Sequence, residues 1–484
     1  MNYIFKNPYW HLCLKYRKAF SVLGILTLSA LIATKTTSVL AIPVVIAIWF
    51  RPYQGVLAAV FFVFIATPRL ELPVFYSLDT LFIWMTVALW LISPALLKIG
   101  MLKLKDFLIF KKELVPYIII IFSYVLIRAY EAITLLSDGT LNLFGLFGYT
   151  IHDLKYGLLF LLFVLLIKNK GTLLASMKLA ILAVLISSLI SVGIYFDLSS
   201  IFLEIRDALI FPNRLYPELG RLPFHHHQSG LTPGAYLFSY HLALVIPLSF
   251  FLYQFSKAGM LRLAYLAIFC FFLLMIGIVG TRMTIISSLI GIAVSYYSSR
   301  KIRALHLIYA VVPVAVLVLI LSSGFFAISE RFESETIALD LLDKLYAQAA
   351  TFYSLPSNIW GVGQGNVTDF EYLQALPSEI RLVHLPHFHF ITTILFYGLI
   401  GIIASLLFVY ASFKILKNVL DRARLEDMGT QAKMLTLASA SAFISVMVNG
   451  MAHNPGPFFG DYTTWLALGW MLSLARTGNQ ASNI

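Results

Sequence analysis

The chain has 484 residues, of which 60% are hydrophobic and only 12% charged. That is about half the charged share of an ordinary soluble domain, and it excludes one. The formal net charge is +12, and the two cysteines, Cys13 and Cys270, leave neither a disulfide framework nor a CxxC metal motif.

Apolar runs of roughly 14 to 22 residues recur along the whole length. In lipid a backbone satisfies its polar groups only as a helix or a closed barrel. Barrel strands alternate apolar and polar residues, whereas these runs are continuous. The expected fold class is therefore all-α, a polytopic integral membrane helical bundle. In chain order the spans fall near 19–34, 37–50, 55–67, 78–97, 116–136, 154–168, 174–195, 234–254, 261–279, 283–298, 304–326, 388–413, 433–452 and 462–475. The first run has no small-residue cleavage site after it and reads as a span rather than a signal peptide. Spans two and three are short for a hydrocarbon core of about 30 Å and also fit one re-entrant hairpin, giving about 12–14 transmembrane helices. Removing both leaves the topology of the rest unchanged.

With the N-terminus inside, most Lys and Arg residues fall on the cytoplasmic side. They include Lys15, Arg17, Lys18, Lys98, Lys103, Lys105, Lys111, Lys112, Arg300, Lys301, Arg303, Lys414, Lys417, Arg422 and Arg424. This is the positive-inside pattern. The basic balance thus reflects topology and contact with anionic membrane lipid, not a nucleic-acid partner. Both termini and the charged connector 414–433, which reads as helical, are expected in the cytoplasm. Four external segments are long enough to carry chemistry: 137–153 with His152 and Asp153, 196–233, 327–387, and HNPGPFFGD at 453–461. Helical periodicity runs over about 333–353 within the third.

Arg282 sits between two apolar runs with almost no loop around it, at the external face. A charged side chain there is costly and marks a functional candidate; the plainer alternative is an arginine snorkelling to the headgroups. Loop 196–233 concentrates Arg214, Arg221, His225, His226, His227 and Gln228. Guanidinium groups suit phosphate through their bidentate fork. Three consecutive histidines cannot all face one ion in regular structure, so no metal site is expected. His384, His387 and His389 flank Pro386. Imidazole takes a proton from a hydroxyl near neutral pH, while the bland reading is a set of interfacial histidines. Gly361, Gly363 and Gly365 in GVGQGN lack the preceding strand and the GK[ST] of a nucleotide loop, so a turn entering the site is the better reading. Arg128 and Glu131 share one face of the fifth span, where mutual neutralisation is the plainer reading and a functional relay the alternative.

Three of these pieces, in this order, resemble the O-antigen ligase and O-antigen polymerase superfamily of bacterial membrane glycosyltransferases. GTRMTIISSLIG at 280–291 is similar to the family's arginine-containing segment opening a span. GRLPFHHHQSGLTPGAYLFSYHLALVIPL at 220–248 resembles its arginine loop, and GVGQGN at 361–366 with PHFHFITTILFYGLIG at 386–401 resembles its glycine turn, histidine and glycine-ended apolar stretch. Counting back from Gly398 aligns His387 with the family's key histidine. Leu385, Phe388, Thr281 and Met283 depart from the family pattern. The resemblance covers about 210–410 and divides the chain into N-terminal helices, 1–195, and a catalytic half, 196–484.

The resemblance implies a metal-independent, GT-C-like transferase with a large periplasmic loop, in the bacterial inner membrane, needing no cofactor. Its donor would be a glycan on undecaprenyl pyrophosphate, and its acceptor a sugar hydroxyl of lipid A-core or of another glycan repeat unit. It implies catalytic roles for His387, Arg282 and Arg221. Arg214, His384, His389, Gly363, Gly365 and Asp461 would contact substrate. The competing class is a transporter or flippase of lipid-linked glycan. A transporter should carry paired ionisable residues or broken helices near the midplane, and in the sequence only Arg128 and Glu131 meet that description.

Overall fold

The computed structural model describes residues 47–48, 50–65, 78–91, 104–137, 143–209, 231, 235–257, 259–298, 342, 345–353, 355–356, 359–361, 388–424, 428–452 and 462–481. All regular structure among them is helical. The principal helices are α1 (Pro52–Val63), α2 (Leu78–Leu91), α3 (Leu104–Ser137), α4 (Leu143–Leu166), α5 (Lys170–Tyr195) and α6 (Ser200–Leu209). They continue as α7 (Ala235–Phe255), α8 (Met260–Val279), α9 (Arg282–Ser298), α10 (His389–Ala423), α11 (Thr430–Asn449) and α12 (Tyr462–Ala481). Five of them, α5, α7, α8, α10 and α11, contain stretches long and apolar enough to cross a membrane. Shorter apolar stretches lie in α1, α2, α3 and α4. The chain is thus a helical membrane protein.

Helix ends follow local chemistry. Pro52 opens α1, where its missing N–H costs nothing. Asn169 caps α5, its Oδ1 accepting from the Thr172 N–H at 2.7 Å and the Thr172 hydroxyl at 2.9 Å. Gly280, at φ 74°, ends α8 in the left-handed conformation, and Arg282 opens α9 two residues later.

Packing uses small residues and aromatics. In lipid, apolar side chains gain little from leaving the solvent, so helices associate through close approach and interhelical hydrogen bonds. On α9, Ser287, Gly291 and Ser295 recur every four residues and are buried. A Cβ at Gly291 would lie 2.1 Å from Ser445 Oγ and 2.5 Å from the Ser441 carbonyl oxygen, so α9 and α11 pack backbone to backbone. Gly157 of α4 instead makes room for the Ile121 side chain of α3. Away from this pair, Tyr117, Phe160, Phe408 and Trp465 bring α3, α4, α10 and α12 together, with ring centroids 5.0–6.4 Å apart. The Tyr117 hydroxyl is paired with Ser412 Oγ at 3.1 Å, and the Trp470 indole N–H donates to Ser176 Oγ at 3.0 Å.

Several boundaries differ from the sequence reading. The helix begun by the sixth span opens at Leu143, so most of segment 137–153 is helical. α3 opens at Leu104, ahead of the expected 116. Segment 196–233 starts with α6, a short helix folded back so that Phe202 packs on Gly193 of α5. Residues 414–423 of the charged connector continue α10, and 345–353 within segment 327–387 are helical, as their pattern implies.

The largest correction concerns the span expected at 388–413. α10 is interrupted at Gly398, which adopts φ 52°, ψ −130°. A Cβ at Gly401 would meet the Thr393 carbonyl oxygen at 2.4 Å. Eight residues of straight helix span about 12 Å. The helix therefore folds sharply at Gly398 into a short arm, His389–Tyr397, and a long rod running on to Ala423. The broken ladder is repaired from outside: the Leu399 N–H donates to the Ile359 carbonyl at 2.8 Å. Gly361, at φ 86°, fits against the Phe396 carbonyl, where a side chain would collide at 2.3 Å. Residue-pattern rules see an uninterrupted apolar run here, because glycine is compatible with a membrane helix and only the tertiary partner forces the break.

Candidate functional site

One end of the bundle gathers a buried polar seam from four helices. Its central residue is Asn449, the last of α11, fully buried. The Asn449 amide donates to Ser239 Oγ of α7 at 3.1 Å. The Thr284 hydroxyl of α9 points to Asn449 Oδ1 at 3.4 Å and pairs with the Thr281 hydroxyl at 2.8 Å. Thr281 and Thr284 bracket Arg282, the first residue of α9, which is half-buried. Arg282 thus stands at a helix N-terminus, where the backbone dipole adds to its positive charge.

Gly450 follows Asn449 and receives the start of α10. A Cβ there would lie 2.3 Å from His389 Nδ1 and 3.0 Å from the Tyr240 hydroxyl. His389 is 2% exposed. The Gly450 backbone is its polar neighbour, yet among the described residues neither ring nitrogen closes a hydrogen bond in good geometry. His241 on α7, stacked edge-on against Phe64 with centroids 4.8 Å apart, also has Nδ1 without a partner among the described residues. The N-terminal ends of α7, α9 and α10 and the C-terminal end of α11 therefore share one end of the bundle. At the opposite end Arg424, just past α10, donates to the Ser298 carbonyl closing α9 at 3.2 Å.

A second polar cluster joins α2, α4 and α12. Lys155 Nζ lies 3.2 Å from Asp79 Oδ2 with both side chains buried, and the Tyr462 hydroxyl donates to the same carboxylate oxygen. The Lys155 ammonium also faces the rings of Tyr156 and Tyr462 at 5.3 and 5.4 Å. A small cavity beside it is lined by Ile120, Ile121, Tyr124, Leu154, Tyr156, Gly157 and Trp465. The sequence reading finds no ionised pair beyond Arg128 and Glu131 and no broken helix; Asp79–Lys155 and the fold at Gly398 correct it on both counts. Asp79 is an isolated charge in an apolar run, and that signal flags it, whereas Lys155 follows Asp153 by two residues and does not stand out. Nothing in the sequence pairs them, because they lie on different helices. Arg128 and Glu131 lie on α3 and His152 and Asp153 on α4, their side chains outside the described set.

Of the site residues expected from sequence, Arg282 and His389 are described, and both stand on the seam at the same end. His387, His384, Arg221, Arg214, Gly363, Gly365 and Asp461 lie outside the described residues, as do His225, His226, His227 and Gln228. Ser239, Tyr240, Thr284 and Asn449 are the seam members that sequence reasoning missed. Serine, threonine and asparagine in membrane helices are too common to single out without their partners. Among the described residues no group of three or more His, Cys, Asp or Glu is placed to hold a metal ion. No protein-family model matches the chain, and no curated protein matches it.

Proposed function

We propose that the chain is a membrane glycosyltransferase of surface polysaccharide synthesis, for O-antigen, capsule or exopolysaccharide. In this reading it lies in the bacterial inner membrane with both termini cytoplasmic. It transfers an undecaprenyl-pyrophosphate-linked glycan to an acceptor sugar hydroxyl at the outer face, as polymerase or ligase. The observation that carries the reading is the meeting of α9 and α10 at one end of the bundle. It brings Arg282 and His389 to the same side, although they are far apart in sequence.

The chemistry needs two functions there. The acceptor oxygen attacks the anomeric carbon while the bond from that carbon to the pyrophosphate oxygen breaks, and the leaving group keeps the electron pair. Fixed cations stabilise that developing charge: Arg282 at its helix N-terminus, with Arg221 and Arg214 from the external loop. A base removes the acceptor proton, and His387, two residues before His389, fills that role. His389 itself is buried and opens the short arm of α10.

The test is purified protein with a defined lipid-linked oligosaccharide, with and without lipid A-core. Product on lipid A-core identifies a ligase and a lengthened lipid-linked chain a polymerase. Arg282→Ala should abolish transfer, and Arg282→Lys should restore little, since an ammonium lacks the bidentate fork. Full transfer by Arg282→Ala overturns the role. A second reading, movement of a lipid-linked glycan across the bilayer, is favoured by the buried Asp79–Lys155 pair and the broken α10. Donor crossing a proteoliposome membrane with no new glycosidic bond would select it.

A further inference from the structure

We infer that Asn449 is a positioning residue that sets the Arg282 end of α9 against α7 and, through Gly450, against the start of α10. The inference rests on the functional reading for its kinetic consequence, but not for its geometric one. The Asn449 side chain faces two helices at once. Its amide N–H donates to Ser239 of α7, and its carbonyl faces the Thr284 hydroxyl of α9. Thr284 is in turn tied to Thr281, so the hydroxyls on both sides of Arg282 belong to one chain of contacts that ends at Asn449. The next residue has no side chain, and the His389 ring and the Tyr240 hydroxyl occupy the space that one would fill. All these groups except Arg282 are buried, where an unmatched polar group is costly, so the chain holds a single arrangement.

Along the same pair of helices, α9 and α11 approach closely at Gly291, Ser441 and Ser445. That contact fixes the spacing of the two helices, but smooth small-residue faces leave sliding along the axis open. The Asn449–Thr284 contact at the end of the pair sets the register. Arg282, two residues before Thr284, is thereby held at one height. Asn449 touches no reacting atom in this reading. It acts through Arg282.

The decisive comparison uses isosteric partners. Thr284→Val removes the hydroxyl and keeps the shape, while Thr284→Ser keeps the hydroxyl. Asn449→Ala removes both contacts. With the lipid-linked donor, Thr284→Val and Asn449→Ala should each raise donor KM about tenfold with kcat within about threefold. Thr284→Ser should match the parent, and the double variant should be no worse than Asn449→Ala alone. A second measurement stands free of any activity. In a chain carrying Cys13→Ser, Cys270→Ser and Arg282→Cys, alkylation by a membrane-impermeant maleimide should change at least fivefold in rate on adding Asn449→Ala or Thr284→Val. It should not change on adding Thr284→Ser. Unaltered alkylation in the Val and Ala variants overturns the inference, as does an equal change with Thr284→Ser. A shift in alkylation with no transferase activity in the parent chain supports the positioning and rejects the functional reading instead.

Discussion

Gly398→Ala places one methyl group at the junction of the two parts of α10. At φ 52°, ψ −130° an L side chain is strained whatever the space around it, at a cost of about 1–3 kcal/mol. The space is also taken: the new Cβ would lie 2.0 Å from the Ile359 carbonyl oxygen and 2.5 Å from the Gly361 nitrogen, both backbone atoms. Relieving that overlap means moving the Ile359–Gly361 segment off α10 and losing its bond to the Leu399 N–H. Overpacking of this kind costs about 1–3 kcal/mol more, giving roughly 2–6 kcal/mol in all. Two other glycines separate the terms. Gly259 has φ 129° with nothing within 4 Å of a Cβ, so Gly259→Ala carries strain alone. Gly429 has neither a positive φ nor a neighbour within that distance, so Gly429→Ala should stay within about 0.5 kcal/mol of the parent. Chemical unfolding of the purified protein in detergent, followed by circular dichroism, gives the order Gly398→Ala least stable, then Gly259→Ala, then Gly429→Ala. A Gly398→Ala protein as stable as Gly429→Ala would refute the folded-arm geometry and restore an unbroken helix.

The buried Asp79–Lys155 pair should be far more sensitive to losing one member than both. Asp79→Asn or Lys155→Met should each cost about 3–5 kcal/mol, and the double variant should recover much of it, as read by the same unfolding assay; equal losses in singles and double would deny the pairing. His389→Ala should lower stability by about 1–3 kcal/mol because its ring is buried, whereas His387→Ala should leave stability unchanged and reduce transfer roughly 10²–10⁴-fold. Transfer assays in which His389→Ala is silent for stability and abolishes turnover at native fold would move the base to His389. For sidedness, single cysteines within 345–353 should react with an impermeant reagent in intact spheroplasts. Cysteines within 414–423 should react only after permeabilisation, and the reverse pattern would invert the topology.

The class of the protein is written in its sequence because the bilayer leaves so few options. Long apolar runs with few charges must be helices, and the described residues are helical throughout their regular structure. Arg282 stands out for the same reason, since an arginine between two apolar runs either snorkels to the headgroups or serves a site. The glycines at 398 and 401 stand out as a pattern, but their cause did not. Gly398 is required by a turn whose partner, Ile359, lies in another part of the chain, and Gly401 by a crossing with Thr393 that exists only once the turn is made. The seam around Asn449 and the pair Asp79–Lys155 were hidden for a related reason. A buried hydrogen bond or ion pair is a relation between helices, and span periodicity assigns each helix a face without naming the residue opposite it. Composition and periodicity therefore determined that the chain spans a membrane as helices. Which polar groups those helices turn toward one another was decided only by their packing, where each buried donor or charge had to find its partner inside the bundle.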